Sequence, residues 1–211
     1  MKTDLTKILD KCIEQIRIGF IFAPVFHPAM KYAALPRREI GIRTAFNILG
    51  PLTNPAGAKA QVIGVPDEAL LEKVVMALKG LGCLHALVVH GEDGLDEITN
   101  TGSSTICELR NGEIKRYSIT PEDFGLSRAS TDSLKGGTVA ENANIILSVL
   151  SGVSGPRRDI VVMNAAAAIL AGDMVDNMNE GVKLARSVIA SGKGMAKLNQ
   201  LIELSKRLTR E

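Results

Sequence analysis

Two neighbouring acidic residues, Asp96 and Glu97, close the run His90-Gly91-Glu92-Asp93-Gly94-Leu95-Asp96-Glu97. Adjacent carboxylates suit Mg²⁺, a hard cation usually held by one or two protein carboxylates together with water and substrate phosphates. Asp93 lies close by, and Gly91 and Gly94 permit the tight backbone that such a loop needs. A solvated acidic loop has the same composition, and spacing alone leaves both readings open. The ligand positions do not fit a calcium EF-hand. A second group of candidates lies in the stretch His27–Pro55, HPAMKYAALPRREIGIRTAFNILGPLTNP. Pro36 and Gly41 break it into short helices, and Gly50-Pro51 makes a turn. It carries Arg37, Arg38 and Arg43, and an arginine at the end of a short segment can present its planar fork to a carboxylate or phosphate. Arg37 can equally be read as a surface residue with its stem laid over the broken helix, and Arg38 and Arg43 compete with it. His27 and Met30 have capping or packing as their plain alternative, and His85 and His90 read as structural.

These groups need a scaffold, and the chain between them spells one. Ala60–Val65 (AQVIGV) reads as a strand. Pro66 and Asp67 then open a helix to about Leu81, with Leu70, Leu71, Val74, Val75 and Leu78 on its buried side and Gly82 ending it. Leu84–Val89 (LHALVV) is a near-continuous apolar run, as in a strand covered on both faces. Strand, helix and strand in that order form a βαβ unit, which implies parallel strands. The acidic run lies just past the second strand, and open parallel sheets bind ligands at the carboxyl ends of their strands.

Farther on, Asn111-Gly112 between two alternating runs predicts a hairpin. Pro121–Lys135 reads as polar and irregular. Thr138 with Glu141 predicts a capping box that opens a helix buried through Ala143, Ile146, Leu147 and Leu150. Helices over Arg158–Ala171, Asn179–Ser191 and Gly194–Leu208 complete the chain, with Ala165–Ala168 permitting close approach of a neighbour. Near the N-terminus, Leu5, Ile8, Leu9, Cys12, Ile13 and Ile16 repeat at helical spacing, and Gly19–Ala23 reads as a short buried strand.

Composition narrows the function classes. The chain has 211 residues, enough for one α/β domain, with five Phe, two Tyr and no Trp, so its core is aliphatic. A net charge of +2 with no basic run longer than two residues argues against a nucleic-acid-binding face. The three cysteines, Cys12, Cys83 and Cys107, have no metal-type spacing and an odd count, which points to a reduced, cytoplasmic setting. Neither a signal peptide nor an apolar run long enough to span a membrane is expected.

Several of these motifs resemble those of anthranilate phosphoribosyltransferase. The Asp96-Glu97 pair after a Gly-x-Asp-Gly loop is similar to the family's Mg²⁺-pyrophosphate carboxylates. Asn47-Ile48-Leu49-Gly50-Pro51-Leu52-Thr53-Asn54-Pro55 looks like the family's substrate segment, more so than that of the pyrimidine phosphorylase relatives. Glu141-Asn142-Ala143 and Asn164-Ala165-Ala166 resemble the family's structural signatures. The resemblance implies an α/β fold with a mostly parallel sheet flanked by helices, like the C-terminal domain of nucleoside phosphorylases and phosphoribosyltransferases. It implies one α/β domain over residues 1–211, with helices in 1–26 and 27–55 that would pack on a helical domain. It also implies transfer of phosphoribosyl from phosphoribosyl pyrophosphate (PRPP) to the amine of anthranilate in tryptophan biosynthesis. The site residues it implies are Arg37, His27, Met30 and Pro51 for anthranilate, and Asp96 and Glu97 for Mg²⁺. The partners it implies are the two small substrates, with neither nucleic acid nor membrane, and a homodimer for the complete enzyme.

The sequence departs from the family in one respect. The Gly- and Thr-rich PRPP loop ending in Gly-Gly-Asp, and the Lys-His-Gly-Asn segment, both N-terminal in the family, are not in this sequence. A truncated form, a misassigned start or one half of a split enzyme is therefore expected, with little activity alone. Asn100-Thr101-Gly102-Ser103-Ser104 has the small polar composition of a substitute phosphate loop. A catalytically silent binding module of the same fold, or part of a pyrimidine nucleoside phosphorylase relative, are the alternative functions.

Overall fold

The apolar runs on either side of Pro66 become two parallel neighbours in a sheet. In the computed structural model, which describes residues 5–21, 52, 54 and 56–210, β1 is Ala60–Gly64 and β2 is His85–Gly91, paired in parallel with Val62 opposite Leu87. The crossover opens as a 3₁₀ turn, Glu68–Leu70, rather than directly as an α-helix. The Asp67 carboxylate caps it by accepting from the Ala69 amide, and α2 (Leu71–Gly80) follows. Leu71, Val74, Val75 and Leu78 are buried, as their spacing requires. Burying each such side chain contributes about 1.5–3 kcal/mol. The sheet continues through β3 (Ser104–Arg110) and β4 (Glu113–Ile119), in the order β1-β2-β3-β4. Asn111 and Gly112 form the two-residue hairpin turn between them, both with positive φ, as a type I′ turn demands.

Strand direction differs from the mostly parallel expectation. Among the described residues only β1–β2 is parallel, while β2–β3 and β3–β4 are antiparallel. A parallel return needs a crossover, usually a helix. The link from β2 to β3, residues 92–103, contains no helix, so the chain comes back in the opposite direction.

The core lies between the sheet and α5 (Pro156–Ala171) and α6 (Met178–Ala190). Leu87, Val89 and Ile106 from the strands meet Val162, Met163, Ala166 and Leu170 of α5 and Val182 of α6. The small residues of α5 do permit close approach. A Cβ at Gly181 of α6 would lie 2.8 Å from the Ala166 carbonyl oxygen and 3.1 Å from its Cα. Gly181→Ala would therefore overpack this contact at a cost of about 1–3 kcal/mol, offset by the roughly 1 kcal/mol that alanine gains over glycine in a helix. A net loss of stability is expected, read as a lower midpoint in thermal or urea unfolding.

Two more stretches depart from their sequence patterns. Pro121–Lys135 is not all irregular. Thr120 and Asp123 form a capping box over a 3₁₀ turn, Pro121–Phe124, and Thr131–Leu134 make one helical turn, α3. The helix predicted after Thr138 is present as α4 (Val139–Leu150), with the Thr138/Glu141 capping box in place. Its buried residue is Val149, however, while Ala143 is exposed and Ile146 and Leu147 are 53% and 42% exposed. Periodicity located the helix, but α4 carries apolar groups on more than one flank, so it could not say which flank is covered.

The contacts divide the chain into two compact units, residues 56–192 just described, and residues 1–55 with 193–211. In the second unit, α1 (Leu5–Ile16) packs on α7 (Lys193–Arg210) through Cys12, Leu204 and Leu208. Lys197 Nζ donates to the Ile16 carbonyl at 2.8 Å, at the C-terminal end of α1 where a cation is favoured. Of the strand expected over Gly19–Ala23, residues 19–21 are irregular and the rest lies outside the described residues. Among the described residues no helix is long and apolar enough to cross a membrane.

Candidate functional site

Beyond Gly91 the chain leaves β2 in a loop whose shape is fixed by its own polar side chains. Asp93 is the hub. Its Oδ2 accepts from the Thr99 and Thr101 hydroxyls at 2.8 and 2.7 Å, and its Oδ1 accepts from the Leu95 amide at 3.2 Å. Burial opposes its charge, but the hydrogen bonds from Thr101, Thr99 and Leu95 outweigh that and hold its carboxyl below the usual value. Asp93 is thus engaged within the loop, where it holds Leu95, Thr99 and Thr101. Glu92 closes the base, accepting from the Ser103 amide at 3.0 Å while its own amide donates to the Ser103 carbonyl at 2.9 Å.

Asp96 and Glu97 follow this turn, both exposed, and their carboxylates make no hydrogen bond or ion pair among the described residues. Glu97 is pushed above its usual value, first by partial burial and second by the charge of Asp96 beside it. Two carboxylates that repel each other and have no cationic partner among the described residues match the donor set of a divalent cation. Among the described residues no group of three or more His, Cys, Asp or Glu could hold a metal ion, but Mg²⁺ bound with a substrate phosphate needs only one or two protein carboxylates.

Glu97 also borders a cleft of about 690 Å³. Leu95, Lys135, Asn142, Arg157 and Val161 line it as well. Its polar residues are largely held in place. Asn142 folds back on Gly137, accepting from its amide at 2.9 Å and donating to its carbonyl at 3.2 Å, and Arg157 Nη2 donates to the Lys135 carbonyl at 2.7 Å. The signature Glu141-Asn142 is thereby explained, Glu141 capping α4 and Asn142 pinning the turn before it.

Arg37, His27, Met30 and Pro51, with the competing Arg38 and Arg43, lie outside the described residues. His85 is buried between two carboxylates, with Nδ1 2.9 Å from Asp173 Oδ1 and Nε2 3.1 Å from Glu108 Oε1, at the end of β2 away from the acidic loop. His90 Nδ1 meets the Val65 carbonyl at 2.9 Å. Both are structural contacts, as expected. The substitute phosphate loop Asn100–Ser104 is not open for a ligand. Asn100 and Ser104 are buried, the Thr101 and Ser103 amides are already bonded to Thr99 and Glu92, and the Asn100 side chain donates to the Pro156 carbonyl at 2.8 Å.

Two residues meet the main chain around the acidic pair, Gly64, which sequence reasoning missed, and Asn164, whose target it did not see. Gly64, at the end of β1, has no room for a side chain because a Cβ there would collide with the Asp96 carbonyl group. Asn164, on α5, donates from Nδ2 to the Ile98 carbonyl at 2.8 Å and accepts at Oδ1 from the Ile98 amide at 3.0 Å. A lone glycine inside a strand is itself a sign of close backbone approach. Asn164 opens the Asn164-Ala165-Ala166 signature, whose spacing gives no hint of its target.

Residues 4–195 match the model of a family described as glycosyl transferase family, a/b domain. The chain belongs to this family. Among curated members, it is 54% identical over 201 residues to the anthranilate phosphoribosyltransferase of Methanosarcina barkeri, an overlap of 95% of this chain and 55% of that protein. It is 55% identical over 192 residues to that of Moorella thermoacetica, covering 91% of this chain and 57% of that one. Among solved structures, the anthranilate phosphoribosyltransferase of Thermus thermophilus shares the α/β fold at a TM-score of 0.88 and 43% identity, over 94% of this chain and 59% of that one. The Saccharomyces cerevisiae enzyme in complex with PRPP and Mg matches at a TM-score of 0.87 and 27% identity, over 96% and 58%. The chain thus spans between half and three-fifths of the length of these relatives.

Proposed function

We propose that this chain is the C-terminal part of an anthranilate phosphoribosyltransferase. The complete enzyme would move phosphoribosyl from PRPP to the amine of anthranilate, in the cytoplasm and as a step of tryptophan biosynthesis. The observation that carries the reading is the Asp96-Glu97 pair. Its carboxylates are exposed and unpartnered among the described residues, on a loop pinned at the carboxyl end of β2. Relatives above 50% identity that bear the enzyme's name, and a related yeast structure with PRPP and Mg, support it.

Asp96 and Glu97 would hold Mg²⁺ through their carboxylate oxygens. When bound there, the ion would supply charge neutralisation for the pyrophosphate leaving group. The protein contributes position rather than a nucleophile, since the anthranilate amine itself attacks C1 of the ribose. Arg37 would orient anthranilate through its carboxylate, with His27, Met30 and Pro51 lining that pocket. The helices of residues 1–55 would pack on the helical domain supplied by the rest of the enzyme, which would act as a homodimer.

The anthranilate side of this reading is tested by Arg37→Ala in the chain joined to the N-terminal part of a relative. Losing one partner of a charge-assisted contact costs about 1.5–3 kcal/mol. The anthranilate KM should therefore rise roughly ten- to a hundred-fold with the PRPP KM unmoved. The same effect from Arg38→Ala or Arg43→Ala, and none from Arg37→Ala, would transfer the role to another arginine.

A further inference from the structure

The two peptide groups that flank the Glu97 Cα each meet a different element of the fold. The Asp96–Glu97 peptide lies against Gly64 of β1, so closely that its carbonyl occupies the space where a Cβ would stand. The Glu97–Ile98 peptide presents its amide to Asn164 Oδ1 at 3.0 Å, and the next carbonyl, that of Ile98, accepts from Asn164 Nδ2 at 2.8 Å. Asn164 is itself anchored on α5, where Nδ2 also donates to the Ile160 carbonyl at 3.0 Å. One plane hydrogen-bonded and the other closely abutted narrow φ and ψ at Glu97, and with them the direction in which its Cβ leaves the backbone. Ile98 is fully buried immediately beyond, so the loop cannot relax by moving outward without exposing that side chain.

We propose that Asn164 and Gly64 are positioning residues that aim the Glu97 carboxylate, and so set the divalent-cation affinity of the Asp96-Glu97 pair from α5 and β1. The proposal rests on the reading of that pair as a cation site. Neither residue touches the ion. Asn164 acts by holding a main-chain amide, and Gly64 by leaving room for a main-chain carbonyl. Partners of this outer kind typically change metal affinity by about 10–100-fold when replaced. A purely structural role for Asn164, as a partner for buried main-chain groups, would lower stability and leave the affinity of the folded protein alone.

The experiment uses Mn²⁺ as the probe on the ¹⁵N-labelled 211-residue chain. Paramagnetic broadening of the Asp96, Glu97 and Ile98 amides is followed through a titration, with thermal unfolding measured in parallel. The wild type should show saturable broadening at these three amides, lost in Asp96→Asn. Asn164→Leu, with the same branched skeleton but without either hydrogen bond to Ile98, should weaken the Mn²⁺ Kd at least about tenfold. Gly181→Ala, which strains α5 at Ala166 instead, should lower the unfolding midpoint with the Kd unchanged.

An unchanged Kd in folded Asn164→Leu, with wild-type binding intact and Asp96→Asn deficient, would overturn the positioning role alone. No broadening at the pair in the wild type would overturn the cation site and this proposal with it. If the variant does not fold, hydrogen exchange on the wild type decides. An Ile98 amide that exchanges without protection would show that Asn164 does not hold it.

Discussion

The 211-residue chain, supplied with PRPP, Mg²⁺ and anthranilate, is expected to form no measurable phosphoribosyl-anthranilate. It should gain that activity when the N-terminal part of a relative is added as a second polypeptide or by fusion. The physical reason is electrostatic. Asp96 and Glu97 alone repel a polyanion, and a pyrophosphate also needs a cradle of backbone amides aimed at its oxygens. The small-polar loop that could have served, Asn100–Ser104, spends the Thr101 and Ser103 amides internally and buries Asn100 and Ser104. Each lost preorganised donor costs about 10²–10³ in rate, so the absence of a whole cradle takes turnover below detection. The added polypeptide also has apolar surface to cover. Val139, Ile146 and Leu147 of α4 and Val161 of α5 are all more than 40% exposed. Robust turnover by the chain alone, measured by product fluorescence, would refute this account. Failure of every fusion and mixture would count against the proposed function itself.

In the complemented enzyme, Asp96→Asn combined with Glu97→Gln is expected to lower kcat/KM for PRPP by at least about a hundred-fold. The KM for anthranilate should stay near its original value. The substitutions keep side-chain size and remove both charges, and neither carboxylate is engaged in the loop's hydrogen bonds, so folding should be preserved. A second signature separates a cation site from a general loss of activity. Rate should rise steeply with Mg²⁺ in the wild type and be nearly flat in the variant, because the variant also loses the repulsion that the cation would otherwise offset. Unaltered PRPP kinetics in the double variant would remove Asp96 and Glu97 from the mechanism. Asp93→Asn should behave differently, since it releases Thr99, Thr101 and Leu95 and so weakens the loop as a whole.

What the sequence determined by itself is what short-range physics controls. Asn111-Gly112 made its hairpin because the turn needs positive φ at both positions, whatever surrounds it. Thr138 and Glu141 made their capping box because the partners are three residues apart. The apolar run of β2, the helix before it and the acidic pair just beyond its end were legible together, and the motif resemblance to anthranilate phosphoribosyltransferases agrees with the relatives found. The tertiary structure alone decided everything that depends on distant residues meeting. Asn164 reaches Ile98 across 66 positions, and Gly64 makes room for the Asp96 carbonyl. Pattern reading has no access to such pairs, because the chemistry of an asparagine or a glycine does not name its partner. The same holds for the exposed flank of α4, the antiparallel return of β3 and the closed Asn100–Ser104 loop. In each, local composition allowed several outcomes, and contacts that composition does not name selected one.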